Sequence, residues 1–209
     1  MFESDFIDFF SRVPWVAVPI IYLPAISTFA WLGVFHHGVS IPVAIGQFAF
    51  GWFAWSLMEY WLHRTLFHWV PSASWGERFH FLLHGVHHKW HQDRYRLVMP
   101  PAASIALGVV VVGLLFGIAA LLSGLLATTW VYVAFAGIMA GYVHYDLTHY
   151  YVHHAKPRSA YMKRLRAHHM AHHHNNLYKE LKFGVSMTLW DHVFGTHEVE
   201  GGKAVHRRG

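Results

Sequence analysis

The sequence contains no cysteine. Disulfides and thiolate metal ligands are therefore excluded, and any bound metal must be held through nitrogen and oxygen atoms. Charge is also scarce, because only 13% of the 209 residues are Asp, Glu, Lys or Arg, whereas 55% are hydrophobic. This is more apolar than a soluble domain can usually hide, so the composition indicates an integral membrane protein. The length suits one domain, and we treat residues 1–209 as a single unit.

Charged residues are absent from two long stretches, 13–58 and 97–145. A membrane-spanning helix needs roughly 20 apolar residues, so each stretch can hold two spans. The first stretch is divided at Gly38, and the second is divided by small and polar residues around position 124. We therefore predict an all-α integral membrane protein with four transmembrane helices in two hairpins. The predicted spans are about 14–35, 41–62, 102–122 and 126–150.

The distribution of basic residues predicts the orientation. All 16 Lys and Arg residues lie before the first predicted span, between Arg64 and Arg96, or from Lys156 onward. Because basic loops stay on the cytoplasmic side of a membrane, both termini and the long middle loop are predicted to be cytoplasmic. The large apolar residues in these polar segments favour a helical cap on the bilayer interface. The pI near 9.5 then reflects topology and anionic lipid, and no nucleic-acid partner is expected.

Histidine is the most over-represented residue, with 21 copies in 209 residues. Packing does not explain this number, because each imidazole has two ring nitrogens that need partners. Two clusters share the spacing HxxHH, which places histidines on one face of a helix where they can converge on one point. His63 and His68 are five apart, so we expect the second span to end or bend between them. The predicted metal ligands, all at the cytoplasmic face of the membrane, are His63, His68, His84, His87, His88, His149, His153, His169, His172 and His173.

Ten imidazoles divide naturally between two metal ions. Five nitrogens on each ion would leave one open position of an octahedral centre for dioxygen, whereas catalytic zinc usually has three protein ligands and a water. We therefore predict a dinuclear site in the cytoplasmic cap with two iron ions, which zinc can replace in a purified sample. We predict no organic cofactor, and the spacing does not identify catalytic side chains beyond the ligands. A competing register of the last cluster would use His168 in place of His169.

Two carboxylates lie one helical turn before predicted ligands. Glu59 precedes His63, and Asp146 precedes His149. A metal-bound histidine usually donates the hydrogen of its other ring nitrogen to a carboxylate, a carbonyl or water. Glu59 and Asp146 are therefore candidates for orienting ligand rings, although structural ion pairing explains them equally well.

Six segments resemble the fatty acid hydroxylase superfamily, and most closely the fatty acid 2-hydroxylases that act on sphingolipid acyl chains. They are HRTLFH (63–68), HFLLHGVHHKW (80–90), DRYRLVMPP (93–101), GYVHYDLTHYYVHH (141–154), HMAHHHNN (169–176) and FGVSMTLWDHVFGT (183–196). The HxxHH spacing alone is shared by many desaturases and hydroxylases, but the RLVMPP and WDHVFGT segments narrow the resemblance. The resemblance implies the same ten ligands, with His169 as the first ligand of the last cluster.

The resemblance also implies the reaction, which the histidine spacing alone does not reveal. It is a dioxygen-dependent hydroxylation beside the carbonyl of a lipid acyl chain, either free or in a sphingolipid or ceramide. The sequence has no cytochrome-like domain, so a separate electron-donor protein is expected. Within the superfamily, the alternatives are hydroxylation or desaturation of a sterol, a carotenoid or an alkyl chain. From other classes, a membrane metal transporter would place its ligands near the bilayer midplane, and a metal-dependent lipid hydrolase would need neither oxygen nor reductant.

Overall fold

The structure is a computed structural model of the 209-residue chain, and it describes Asp8, residues 12–123 and residues 129–198. Every regular element in these ranges is helical, which confirms the predicted all-α class. In chain order the elements are α1 (Ala17–Trp31), π1 (Leu32–His36), α2 (Ile41–Trp61), π2 (Leu62–Phe67), α3 (Gly76–His80), π3 (Phe81–Gly85), α4 (Val86–Lys89), α5 (Pro101–Ser123), α6 (Trp130–His154), α7 (Ala160–His174) and α8 (Leu189–Val193).

Three helical segments within the described ranges are long and apolar enough to cross a membrane. They are Ala17–His36, Ile41–Phe67 and Pro101–Leu122, which agree closely with the first three predicted spans. Helix α6 covers most of the fourth predicted span, 126–150, but it is not among the three, and residues 126–128 lie outside the described part of the chain. The fourth span and the pairing of spans into hairpins therefore stay predictions.

The described residues form two compact units, and each unit combines separate parts of the chain. The first contains the residues up to Trp55 together with Val98–Leu147, and the second contains Ser56–Leu97 together with the residues from Thr148 onward. All ten predicted metal ligands belong to the second unit.

Helices α2 and α6 approach each other closely in the first unit, at two glycines. A Cβ atom on Gly51 would lie 2.0 Å from the carbonyl oxygen of Ala134, and a Cβ atom on Gly137 would lie 2.1 Å from that of Phe48. Small residues at a crossing let two helix backbones pack against each other, which is typical of helix pairs in membranes. Glycine is therefore required at both positions of this contact.

The second predicted span ends in a π-helix. Helix α2 continues directly into π2, which contains His63 and ends at Phe67, so the helix ends before His68 as expected. In a π-helix the backbone bonds join residue i to residue i+5, and such segments are often found at functional sites. The wider winding places side chains five residues apart on one side of the helix. The five-residue spacing therefore indicated correctly that regular α-helical winding does not continue to His68.

Candidate metal centre

The ten predicted ligands lie in two groups of five, and none of them is left out. In each group, one ring nitrogen of every residue lies within 4.8 Å of the corresponding nitrogens of the other four. The first histidine group consists of His63, His68, His84, His88 and His172, and the second histidine group consists of His87, His149, His153, His169 and His173.

Each HxxHH cluster contributes to both groups. His84 and His88, which are four apart, join the first group with their Nε2 atoms 2.8 Å apart. His87 belongs to the second group, and its Nε2 atom lies 2.9 Å from that of His173. Adjacent residues on a helix point in directions about 100° apart. His87 and His88 of one cluster can therefore face different histidine groups. The expectation that each cluster converges on one point is thus corrected.

The second HxxHH cluster, on α7, mirrors this division. His169 and His173 belong to the second group, with their Nε2 atoms 3.1 Å apart, whereas His172 belongs to the first. His63 on π2 and His68, which directly follows π2, are the remaining pair of the first group. The Nε2 atom of His63 lies 3.2 Å from that of His84, and the Nε2 atom of His68 lies 3.2 Å from that of His172.

The distances between facing nitrogens fit metal ions with five or six ligands. The closest Nε2–Nε2 distances in the two groups run from 2.8 to 3.2 Å. With a metal–nitrogen bond of about 2.1 Å, ligands at right angles are separated by about 3.0 Å and tetrahedral ligands by about 3.4 Å. The observed separations match the right-angle arrangement, which octahedral and trigonal-bipyramidal centres contain.

Hydrogen bonds to carbonyl groups fix two rings of the first group in the form that binds a metal. The Nδ1 atom of His63 donates to the carbonyl oxygen of Phe183 at 2.6 Å, and the Nδ1 atom of His172 donates to that of Leu181 at 2.7 Å. In a neutral imidazole, a hydrogen on Nδ1 leaves a lone pair on Nε2. Lone pairs buried side by side repel one another unless a cation lies between them, so the first group fits a bound metal ion.

Burial keeps the histidines uncharged. Loss of solvent lowers the pKa of His84, His87 and His169 well below its usual value, and repulsion among neighbouring imidazoles lowers it further. The same causes lower the pKa of His68 to about 3 and that of His88 to about 2. Neutral imidazole is the form that coordinates metals, so these rings need no deprotonation to bind at neutral pH.

Glu59 is buried but binds the backbone rather than an imidazole ring. Its Oε1 atom accepts hydrogen bonds of 2.7 Å from the amides of Val185 and Ser186, and the Ser186 hydroxyl donates to its Oε2 atom. These residues follow Phe183, whose carbonyl accepts from His63. Glu59 therefore holds the backbone next to the carbonyl that His63 contacts, and its role in orienting a ligand ring stays a prediction.

Asp146 is also buried, in the first unit. Its Oδ2 atom accepts a hydrogen bond of 3.1 Å from the Tyr142 hydroxyl, and the backbone amide of Met99 donates to the same carboxylate. The orientation of a ligand ring by Asp146 stays a prediction.

Sequence reasoning missed Asp191, which is completely buried in the second unit. It accepts hydrogen bonds from His168 Nε2 at 3.0 Å and from the Thr196 hydroxyl at 2.7 Å, as well as from two backbone amides. Burial alone would raise the pKa of the Asp191 carboxyl, but these hydrogen bonds bring the pKa below its usual value. The signal was present in the sequence, because Asp191 is the only Asp, Glu, Lys or Arg in residues 183–196. The Nε2 atom of His168 is thus hydrogen-bonded to Asp191, and His168 belongs to neither histidine group.

Helices able to span a membrane and two buried groups of five histidines define an integral membrane protein with a site able to hold metal ions. The chain belongs to the fatty acid hydroxylase family, whose family model matches residues 48–196. It is 41% identical to the dihydroceramide fatty acyl 2-hydroxylase FAH2 of Arabidopsis thaliana, over 93% of this chain and 78% of that protein.

Two further relatives are longer than this chain. The ceramide very long chain fatty acid hydroxylase SCS7 of Saccharomyces cerevisiae is 38% identical over 93% of this chain and 48% of its own length. The human fatty acid 2-hydroxylase is 36% identical over 94% of this chain and 56% of its own length. The chain therefore spans about half the length of these two relatives. A solved structure of full-length Scs7p, in which only the hydroxylase domain is visible, superimposes with a TM-score of 0.84 at 36% identity and covers 95% of this chain and 72% of the other.

Proposed function

We propose that this chain is a membrane di-metal monooxygenase that hydroxylates the 2-position of a fatty acyl chain, either free or in a sphingolipid or ceramide. The observation that carries the proposal is the pair of five-histidine groups, found in a chain of the fatty acid hydroxylase family. The relatives named as fatty acid 2-hydroxylases and ceramide hydroxylases support the acyl substrate and the position of attack.

Two iron ions are the proposed metals, one held by each histidine group, and zinc can take their place in a purified sample. When bound, the ions supply the oxidation of an unactivated C–H bond by dioxygen, with electrons from a separate donor protein. The iron assignment is supported by the all-nitrogen ligand set and by right-angle spacings, which suit a centre with five protein ligands and one open position.

The protein itself supplies orientation and excludes water. His169 and His172 expose none of their surface, and His63 exposes only 1%. The carbonyl groups of Leu181 and Phe183 hold hydrogens on the Nδ1 atoms of His172 and His63, so that the Nε2 lone pairs of these rings stay directed into the first group.

Hydroxylation is tested by incubating the purified protein with a ceramide or a free fatty acid, a reductant, an electron donor and isotopically labelled dioxygen. We expect a 2-hydroxyacyl product that carries one labelled oxygen atom, and no product without dioxygen or without reductant. A labelled product oxidised elsewhere in the lipid would contradict the proposed position of attack. Product formation without dioxygen would contradict oxygenation altogether.

We also propose four spans, with both termini and the metal site on the cytoplasmic side. The absence of cysteine makes this topology directly testable, because a single introduced cysteine is the only thiol. Ser40 and Ser74 are both exposed and lie in a predicted hairpin tip and in the predicted cytoplasmic loop, respectively. We expect a membrane-impermeant maleimide to label Ser40→Cys only in right-side-out vesicles and Ser74→Cys only in inverted vesicles. Labelling of both variants from the same side would contradict the topology.

A further inference from the structure

Residues 181–186, here called the carbonyl segment, connect two parts of the first histidine group. The segment lies between α7 and α8. Its carbonyl groups at Leu181 and Phe183 accept from His172 on α7 and from His63 on π2, respectively. One short segment therefore sets the hydrogen position on two ligand rings that come from different helices. Neither ring belongs to the second group.

Two buried carboxylates hold the carbonyl segment by its amides. Asp191 accepts from the amides of Phe183 and Gly184, at 2.8 Å each, and Glu59 accepts from the next two, at 2.7 Å each. Four consecutive amides are thus bound to carboxylate oxygens. Because four consecutive amides are held in this way, the backbone and the carbonyls that it presents are restricted.

The local backbone is shaped to admit Asp191. A Cβ atom on Gly184 would lie 2.2 Å from the carbonyl oxygen of Met187 and 2.7 Å from Asp191 Oδ2, so any larger residue would push the carboxylate away from the amide. Lys182, between the two accepting carbonyls, has a φ of 59°, a conformation that non-glycine residues adopt at a cost. Its amide donates to the carbonyl of Thr196 at 2.8 Å, which holds this turn in place.

Asp191 is in turn held by a chain of side-chain donors. Arg64 donates to the Tyr60 hydroxyl at 2.9 Å, and that hydroxyl lies 3.0 Å from the hydroxyl of Thr196. Thr196 donates to Asp191 Oδ1, and His168 lies against Asp191 Oδ2. Every oxygen of this carboxylate therefore has both a side-chain partner and an amide partner, which fixes its position.

The side chain of Phe183 also packs on the first group. Its ring centroid lies 5.7 Å from that of His63, 5.5 Å from that of His68 and 5.8 Å from that of His172. A shift of the backbone at Phe183 would therefore disturb three of the five rings in the first group.

We propose that Asp191 is a positioning residue for the metal ion of the first histidine group. By holding the amides of Phe183 and Gly184, it keeps the carbonyl segment where His63 and His172 can donate to it. This inference rests on the proposed two-metal function. It adds that this support serves one of the two ions, because the carbonyl hydrogen bonds that Asp191 stabilises reach only the first group.

The test measures binding of cobalt(II) to chelator-treated Asp191→Asn under anaerobic conditions, by metal analysis and by the absorption spectrum of the bound ions. Asparagine keeps the size of the side chain. Its NH2 group cannot accept a hydrogen bond, so one of the two backbone amides loses its acceptor. Loss of a group that orients a ligand typically costs 10–100-fold in metal affinity. We expect one ion to bind as in the wild type and the other about 10–100-fold more weakly, with loss of its part of the spectrum.

Asp93→Asn is the matched control, because Asp93 is a carboxylate of the same unit that binds Arg96 and the amide of Tyr95 instead of the carbonyl segment. The control is expected to bind two ions as the wild type does. If Asp191→Asn does not fold, Thr196→Val removes one donor to Asp191 while keeping the carboxylate. That variant should weaken one ion, and Thr196→Ser, which retains the hydroxyl, should not.

Two results would overturn the inference. One is unchanged affinity and spectrum for both ions in Asp191→Asn or, where that variant does not fold, in Thr196→Val. The other is an equal loss of both ions in a variant that retains the wild-type circular dichroism, since that would show a general structural role. A wild-type chain that binds fewer than two ions would overturn the proposed function itself, and this inference with it.

Discussion

Replacement of His84 by alanine is expected to lower the rate of lipid hydroxylation by more than about 100-fold, since loss of a group that merely orients a ligand already costs 10–100-fold. His84 is buried, and its Nε2 atom lies within 3.2 Å of the Nε2 atoms of both His63 and His88. Its loss would leave four histidine ligands in the first group and an empty ligand position. The measurements are the initial rate of 2-hydroxyacyl product formation and the iron content of the purified variant.

His174→Ala is the matched control for this variant. His174 is exposed, directly follows His173 on α7 and belongs to neither group. The control should retain the wild-type rate and two ions, whereas His84→Ala should lose one ion in addition to its activity. Hydroxylation at the full rate by His84→Ala would contradict the ligand assignment.

The sequence predicts ten clustered histidines in two sets of five, but it does not predict which histidines form each set. Spacing indicates which side chains share a helix face, and the two HxxHH clusters have that property. Which histidine group a ring joins depends on the direction of its side chain and on the neighbouring helices. For His63 and His68 it also depends on the π-helical winding of π2, for which the sequence carries no distinct signal.

The partners of the ligand rings were harder still to predict. Glu59 is recognisable in the sequence as a carboxylate one turn before a ligand, but it accepts from the backbone amides of Val185 and Ser186, 126 and 127 residues away. The acceptors at Leu181 and Phe183 are carbonyl groups, which every residue possesses. A sequence shows side-chain chemistry only, so supports built from the backbone become visible only in the folded chain.

Removal of the metal is expected to abolish hydroxylation and to lower the melting temperature by about 10 °C or more. An ion present at 1,000 times its dissociation constant stabilises the folded state by about 4 kcal/mol, and 1 kcal/mol shifts the melting temperature of a chain of this size by about 2–4 °C. Without the ions, the facing Nε2 atoms at 2.8–3.2 Å bring buried lone pairs together with no cation between them. The measurements are activity and thermal unfolding in detergent, before and after treatment with a chelator.

Adding metal back distinguishes the effect of the ions on the melting temperature from their effect on hydroxylation. Zinc has no redox chemistry and binds imidazole well, so it should restore most of the lost melting temperature but no hydroxylation. Iron(II) should restore both. Hydroxylation by the zinc-loaded protein would contradict the iron assignment. An unchanged melting temperature after complete removal of metal would show that the ten imidazoles are held together by the packing of the second unit alone.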